Sequence, residues 1–192
     1  FPALTIDPGT TVSEFDQSTP DGADVVIVPA VHDPDDPDLV RWVQEQAEKG
    51  ALVVGICDGV WALGHAGLLE GRRVVGHWYS RERLAKRFPA TRWIGDRRFA
   101  ADAGVVTTTG VTASIPVSLA LVEAMGGTRQ ADSLAALIGS ASWSASYVSD
   151  RFGLDVGHVW TAASNWLAFW RKETVGLRIA DGVGEIALAL SA

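Results

Sequence analysis

Three short apolar runs divide the first two thirds of the chain. They lie at residues 23–29, 51–56 and 105–109, and Pro29 closes the first of them. A run that is apolar on both faces is typical of a strand in a parallel sheet that is covered by helices on both sides. The pattern therefore predicts three parallel, buried strands.

Helical periodicity follows the first two runs. Asp36 is a suitable N-cap and Pro37 fits the first helical position, apolar residues then recur at helical spacing, and Gly50 provides a stop. A second helix is predicted over residues 60–69, directly after the second strand. Strand, helix, strand and helix in succession are typical of right-handed βαβ units in an α/β fold.

Four further elements are predicted in this region, most of them ended by a glycine or a proline. They are a strand at 72–76, a helix at 80–88, a hairpin of 91–94 and 97–101 around Gly95-Asp96, and a helix at 114–125.

The C-terminal part of the sequence differs in character. Residues 128–139 and 155–172 have the periodicity of amphipathic helices, and a Ser-rich segment joins them. The second predicted helix carries an apolar stripe that core packing explains better than a ligand site: Val159, Trp160, Ala163, Trp166, Leu167 and Trp170. We therefore predict an α/β domain over residues 1–127 and a helical extension over residues 128–192 packed on it.

Length and charge limit the function classes. A chain of 192 residues can bury the core of one domain, and a net charge of −7 argues against a nucleic-acid surface. Basic residues gather between Arg72 and Arg98, but acidic residues dilute them, which favours a solvated surface. We expect a small-molecule substrate or ligand as the partner, and no nucleic acid bound by this chain.

Cys57 is the only cysteine, which excludes an internal disulfide and a multi-thiolate metal site. We predict no cofactor and no metal. The sequence contains no apolar run long enough to span a bilayer and no signal peptide, so a cytoplasmic location is expected.

The segment Gly55-Ile56-Cys57-Asp58-Gly59 has the form G-x-C-x-G between a strand and a helix. A sharp turn of this kind exposes a nucleophile and needs small neighbours so that the chain can pass closely. The helix N-terminus favours the thiolate, so Cys57 is expected to titrate below about 8.5. The backbone N–H of Asp58 would face a developing oxyanion. The alternative is a structural cysteine buried in the core.

Four motifs in order resemble the ThiJ/PfpI superfamily, in the branch with GlxA-type AraC regulators and isonitrile hydratases. They are residues 55–69, Gly76-His77-Trp78, Asp96-Arg97-Arg98 and residues 109–113. The resemblance implies a flavodoxin-like, doubly wound parallel sheet of the class I glutamine-amidotransferase type, often dimeric, with Cys57 as its central thiol. We accordingly expect a homodimer.

The chain departs from the family pattern at three places. Asp58 stands where several relatives have His or Thr, and Pro29-Ala30-Val31-His32 replaces a Pro-Gly-Gly loop. The acidic residue that faces the cysteine in relatives lies on an earlier segment without a counterpart here. We therefore expect an N-terminal βαβ unit upstream of Phe1, of about 40–60 residues, with which this chain would associate.

The candidate site combines the elbow with residues that follow other strands. We assign catalytic roles to Cys57, His32 and Asp58, oxyanion-binding backbone N–H groups to Asp58 and Val31, and a substrate pocket to Trp61, His77, Tyr79 and Thr112. His65 and His158 are interpreted as structural. The favoured function is a hydrolase or hydratase acting on a small electrophilic carbon. The alternatives are a ligand- or redox-sensing domain without turnover and a degenerate fold kept for protein interaction.

Overall fold

The computed structural model describes residues 8–140, 143–146, 175–179 and 186–190 of the chain. The chain forms two compact units, Phe1–Arg151 and Phe152–Ala192. The first unit includes helical residues after 127 that the sequence analysis assigned to the extension. The predicted helix over residues 155–172 lies outside the described residues.

Strands and helices alternate through most of the first unit. The strands are β1 (Val25–Val28), β2 (Leu52–Gly55), β3 (Arg73–Val74), β4 (Arg92–Trp93), β5 (Phe99–Asp102) and β6 (Val105–Thr108). The helices are α1 (Val12–Ser18), α2 (Pro37–Glu48), α3 (Val60–His65), α4 (Arg81–Arg87), α5 (Ser114–Gly126) and α6 (Thr128–Leu137).

The three predicted buried strands form a parallel sheet, as expected from their apolar composition. The strand order is β1-β2-β6-β5, and β5 joins the edge antiparallel to β6. Val26 pairs with Val53, and Val53 pairs with Val105, so these side chains share one face of the sheet. The carboxyl ends of β1, β2 and β6 therefore meet at one edge of the sheet, where Cys57 follows β2.

Helices cover both faces of this sheet. On one face Val26, Val53 and Val105 pack with Val43 of α2 and Leu63 of α3. On the other face Val54 and Val106 pack with Val117 of α5. This layering is the α/β, doubly wound arrangement of the flavodoxin-like fold.

The start of α2 was predictable from the sequence because the residues directly around it determine where the helix begins. Asp36 Oδ1 accepts hydrogen bonds from the backbone N–H groups of Asp38 and Leu39, at 3.0 and 2.9 Å. By contrast, α1 is not among the predicted elements, although Thr11 and Glu14 form a capping box there. The helix α3 is also shorter than the predicted span of 60–69.

The predicted hairpin around Gly95-Asp96 is wrong. Strand β4 pairs in parallel with β3, whereas β5 pairs antiparallel with β6. Asp96 does adopt a turn conformation with φ 56°, which explains the hairpin-like sequence. The two flanking segments bind different partners, however, since Arg92 N–H donates to Arg72 O at 2.9 Å and Thr109 N–H donates to Arg98 O at 2.8 Å.

In the second unit, β7 (Val175–Ile179) and β8 (Ile186–Leu190) pair antiparallel. The sequence pattern does not predict these two strands. Among the described helices of the chain, none has the length and apolar character needed to cross a membrane.

Candidate functional site

The elbow at Cys57 has the geometry that its sequence predicts. Cys57 opens a short 3-10 turn, Cys57–Gly59, between β2 and α3, and its φ is 55°. A non-glycine residue in this left-handed region is uncommon and persists only where its surroundings hold it. The backbone N–H of Cys57 donates to Thr108 Oγ1 at 2.8 Å, which ties the elbow to the end of β6.

Close packing requires glycine at position 59 and favours it at position 55. A Cβ on Gly59 would overlap Val28 O and would lie 2.8 Å from Pro29 O. A Cβ on Gly55 would lie 3.0 Å from Leu63 Cδ2. The G-x-C-x-G spacing thus lets the turn lie against the carboxyl end of β1 and against α3.

The Cys57 thiol is half-buried, and burial raises its pKa above the ordinary value. The backbone N–H of Asp58 lowers the pKa by hydrogen bonding, and the negative charge of the Asp58 carboxylate raises it again. The net direction is upward. The expectation that Cys57 titrates below the ordinary thiol value is therefore wrong, because desolvation of the thiolate outweighs the donors of the turn.

Asp58 is half-buried, and its Oδ1 atom is buried without a hydrogen-bond partner among the described residues. Asp58 directly follows Cys57, and the charge of its carboxylate raises the pKa of the thiol. No described hydrogen bond joins Asp58 to a histidine. The role of its side chain as a catalytic group remains a prediction.

The loop after β1 contains the two other residues assigned to the reacting centre. It starts against the elbow, since Ile56 N–H donates to Val28 O at 2.9 Å. Val31 is half-buried and His32 is exposed. Neither makes a hydrogen bond within the described part of the chain, so the roles of His32 as a base and of the Val31 N–H as an oxyanion donor remain predictions.

His77 lies beside the turn that follows β6. A Cβ on Gly110 would lie 3.0 Å from His77 Cδ2 and 3.4 Å from its Nε2, so the imidazole covers this glycine. Its Nδ1 accepts a hydrogen bond from Tyr79 N–H at 3.3 Å. Thr112, in the turn Val111–Ala113, is exposed. Thr108 is the last residue of β6 and Gly110 follows it. His77 therefore lies at the same end of β6 as the Cys57 elbow.

The two remaining aromatic pocket candidates have different surroundings. Tyr79 is exposed, and the Arg83 guanidinium lies 5.1 Å from its ring centroid. Trp61 packs edge-on against Phe88 at 5.8 Å, as does His65 at 5.4 Å. The Trp61 ring thus contributes to the core between α3 and the end of α4. The structural role predicted for His65 agrees with its contact.

A cavity of about 700 Å³ lies between α1 and α2, lined among others by Asp16, Leu39 and Trp42, and its lining contains none of the predicted site residues. Within the described residues, no group of three or more His, Cys, Asp or Glu is arranged to hold a metal ion.

Sequence reasoning missed Thr108, whose hydroxyl binds the elbow backbone. Thr107 and Thr108 lie at the end of a strand of the central sheet, and both are fully buried although their side chains are polar. Two adjacent polar residues at the end of a buried strand were the available signal, because buried hydroxyls are nearly always hydrogen-bonded.

Comparison with known proteins gives a family match over most of the first unit. A family model described as the DJ-1/PfpI family matches residues 8–124. The chain is 34% identical over 86 residues to the HTH-type transcriptional regulator CdhR of Pseudomonas aeruginosa, a match covering 45% of this chain and 25% of that protein. It is 33% identical over 94 residues to isonitrile hydratase of Pseudomonas putida, covering 48% of this chain and 40% of that protein.

A solved structure of Drosophila melanogaster DJ-1beta has the same fold. Its TM-score is 0.62 at 18% identity, with 72% of this chain and 74% of that chain covered. The chain spans well under half the length of the two curated relatives.

Proposed function

Because the chain belongs to the DJ-1/PfpI family, we propose that it is a small-molecule-sensing domain that holds its ligand at the Cys57 elbow without rapid turnover. The expected ligand carries a small electrophilic carbon that a thiol can approach. We further propose that the domain acts as a homodimer in the cytoplasm and that this chain binds no nucleic acid.

The environment of Cys57 supports sensing over catalysis. The raised pKa keeps the thiol protonated at neutral pH, and the thiolate is the nucleophilic form. A catalytic cysteine is usually activated by an adjacent base, but no described hydrogen bond joins the thiol to a histidine. The match to the HTH-type transcriptional regulator CdhR supports the same candidate, because a related stretch of sequence occurs in a regulator.

A cysteine-dependent hydratase or hydrolase is the second candidate, and the match to isonitrile hydratase favours it. In that mechanism the Cys57 sulfur forms a bond to the electrophilic carbon, and its proton passes to the substrate through a histidine. In a hydratase, water then adds to the same carbon, and the carbon–sulfur bond breaks as a proton from that water returns to the sulfur. In a hydrolase, the leaving group departs with the first proton before water adds and displaces the sulfur in the same way. For this proton transfer His77 is the better candidate of the two histidines. It contacts Gly110 in the turn after β6, whereas His32 is exposed.

One panel of ligands distinguishes the two candidates. Isonitriles, glyoxals and small amides are added to the wild-type protein and to C57A, and both the melting temperature and product formation are followed. For a sensing domain we expect a ligand to raise the melting temperature of the wild type more than that of C57A, with no product above the C57A background. Product formation that depends on Cys57 would instead establish the enzyme.

A further inference from the structure

The backbone of Cys57 depends on a partner outside its own strand. The parallel ladder between β2 and β6 ends at the pair Gly55 and Thr107. Two residues later the chain turns into the left-handed region at Cys57, with φ 55°. Its N–H therefore has no ladder partner and donates to Thr108 Oγ1 at 2.8 Å.

Thr108 is well suited to fix this turn. Its side chain is fully buried, and its β-branched χ1 angle has few alternatives in a packed strand. The hydrogen bond is partly buried, so an N–H that loses this acceptor is costly because water replaces the bond only in part. The hydroxyl of Thr108 thus stabilises the strained conformation of Cys57 relative to relaxed alternatives.

The neighbouring residue provides a matched comparison. Thr107 is also fully buried, and its Oγ1 accepts a hydrogen bond from Val75 N–H at 2.9 Å. The two threonines are adjacent in β6, are equally buried and each satisfy one backbone N–H. Only Thr108 binds the elbow.

We infer that Thr108 is a positioning residue, which holds Cys57 in its left-handed conformation and so keeps the Asp58 N–H directed at the thiol. This inference rests on the proposed function, in which the Cys57 thiol meets the ligand. The Asp58 N–H lowers the pKa of the thiol, and this effect is lost if the turn relaxes. Thr108 would act through the backbone and touch no ligand.

The test compares T108V, T107V and T108S with the wild type. Valine keeps the shape of threonine and removes the hydroxyl, whereas serine keeps the hydroxyl. Hydrogen exchange of the backbone amides is measured by NMR, and the alkylation rate of Cys57 with iodoacetamide is measured against pH. If T108V does not fold, T108A replaces it and T107A becomes its control.

In T108V we expect the Cys57 amide to exchange at least about tenfold faster, since a net hydrogen bond contributes about that factor. We also expect the inflection of the alkylation profile to move to higher pH, by up to about one unit. In T107V the Val75 amide should exchange faster, while the exchange of the Cys57 amide and the inflection of the alkylation profile stay unchanged. T108S should resemble the wild type in both measurements.

Equal protection of the Cys57 amide in folded T108V and in the wild type would overturn the inference, as would the same loss in T107V. A wild-type thiol that reacts only after unfolding, or a ligand panel without effect, would contradict the proposed function. The amide of Cys57 would still decide the role of Thr108 in that case.

Discussion

At the scale of single residues, Cys57 shows how burial competes with local donors. Its position at the start of a turn and its hydrogen bond from the Asp58 N–H both favour the thiolate. Burial and the Asp58 carboxylate oppose it, and burial is the strongest influence on the pKa of the thiol. The site therefore has the form of a nucleophile elbow with a thiol that stays protonated at neutral pH.

This balance predicts the pH dependence of Cys57 alkylation. The iodoacetamide rate of the wild type should rise with pH and level off only above the ordinary thiol value of about 8.5. D58N keeps the size of the side chain and removes its charge, so its inflection should lie lower than that of the wild type. An inflection of the wild type below the ordinary value would show that the donors of the turn outweigh burial.

The same shift makes stability depend on pH. Since the pKa is raised in the folded state, the contribution of the thiol is complete below the pKa of the unfolded chain and is lost as pH rises towards the folded value. The free energy of unfolding of the wild type, relative to C57S, should therefore fall between neutral and alkaline pH. Urea unfolding of both proteins at several pH values measures it.

At the scale of elements, the elbow is built against the carboxyl end of β1. Gly59 lies so close to the carbonyl groups of Val28 and Pro29 that a methyl group there would overlap both. This contact fixes the start of α3 relative to β1. It also brings the loop that contains His32 to the side of the sheet where Cys57 lies.

We predict that G59A destabilises the protein by at least about 1–3 kcal/mol, because backbone atoms must move to admit the methyl group. The matched control is G95A, where a Cβ would lie 3.7 Å from the flexible guanidinium of Arg81. Urea unfolding should show a small effect for G95A. A G59A protein as stable as the wild type would mean that β1 and the elbow separate easily.

At the scale of the whole molecule, charge is distributed unevenly. Residues 72–98 contain nine of the 16 Lys and Arg residues and two of the 23 Asp and Glu residues. The rest of the chain is strongly acidic. A nucleic acid that approaches the basic segment would therefore also be repelled by the negative charge of the rest of the chain.

We predict that the chain does not bind double-stranded DNA at about 0.15 M salt, where weak electrostatic contacts are screened. Fluorescence anisotropy of a labelled duplex should stay constant as protein is added. The control is the same titration at about 0.01 M salt, where attraction to the basic segment is least screened. Saturable binding at the higher salt concentration would contradict the interpretation of this segment as a solvated surface.

The sequence by itself determined those features that depend on neighbouring residues. The parallel strands follow from apolar runs, the start of α2 follows from Asp36 and Pro37, and the elbow follows from G-x-C-x-G. Each is encoded within a few consecutive positions, so one sequence suffices to identify it.

Only the tertiary structure decided how distant segments affect one another. Strand β4 pairs with β3 and strand β5 pairs with β6, and the local turn around Asp96 does not reveal either partner. Thr108 reaches the elbow across 51 positions of sequence. The pKa of Cys57 is raised chiefly by burial, which depends on all the chain that packs around the thiol, whereas the opposing donor is the next residue in the sequence.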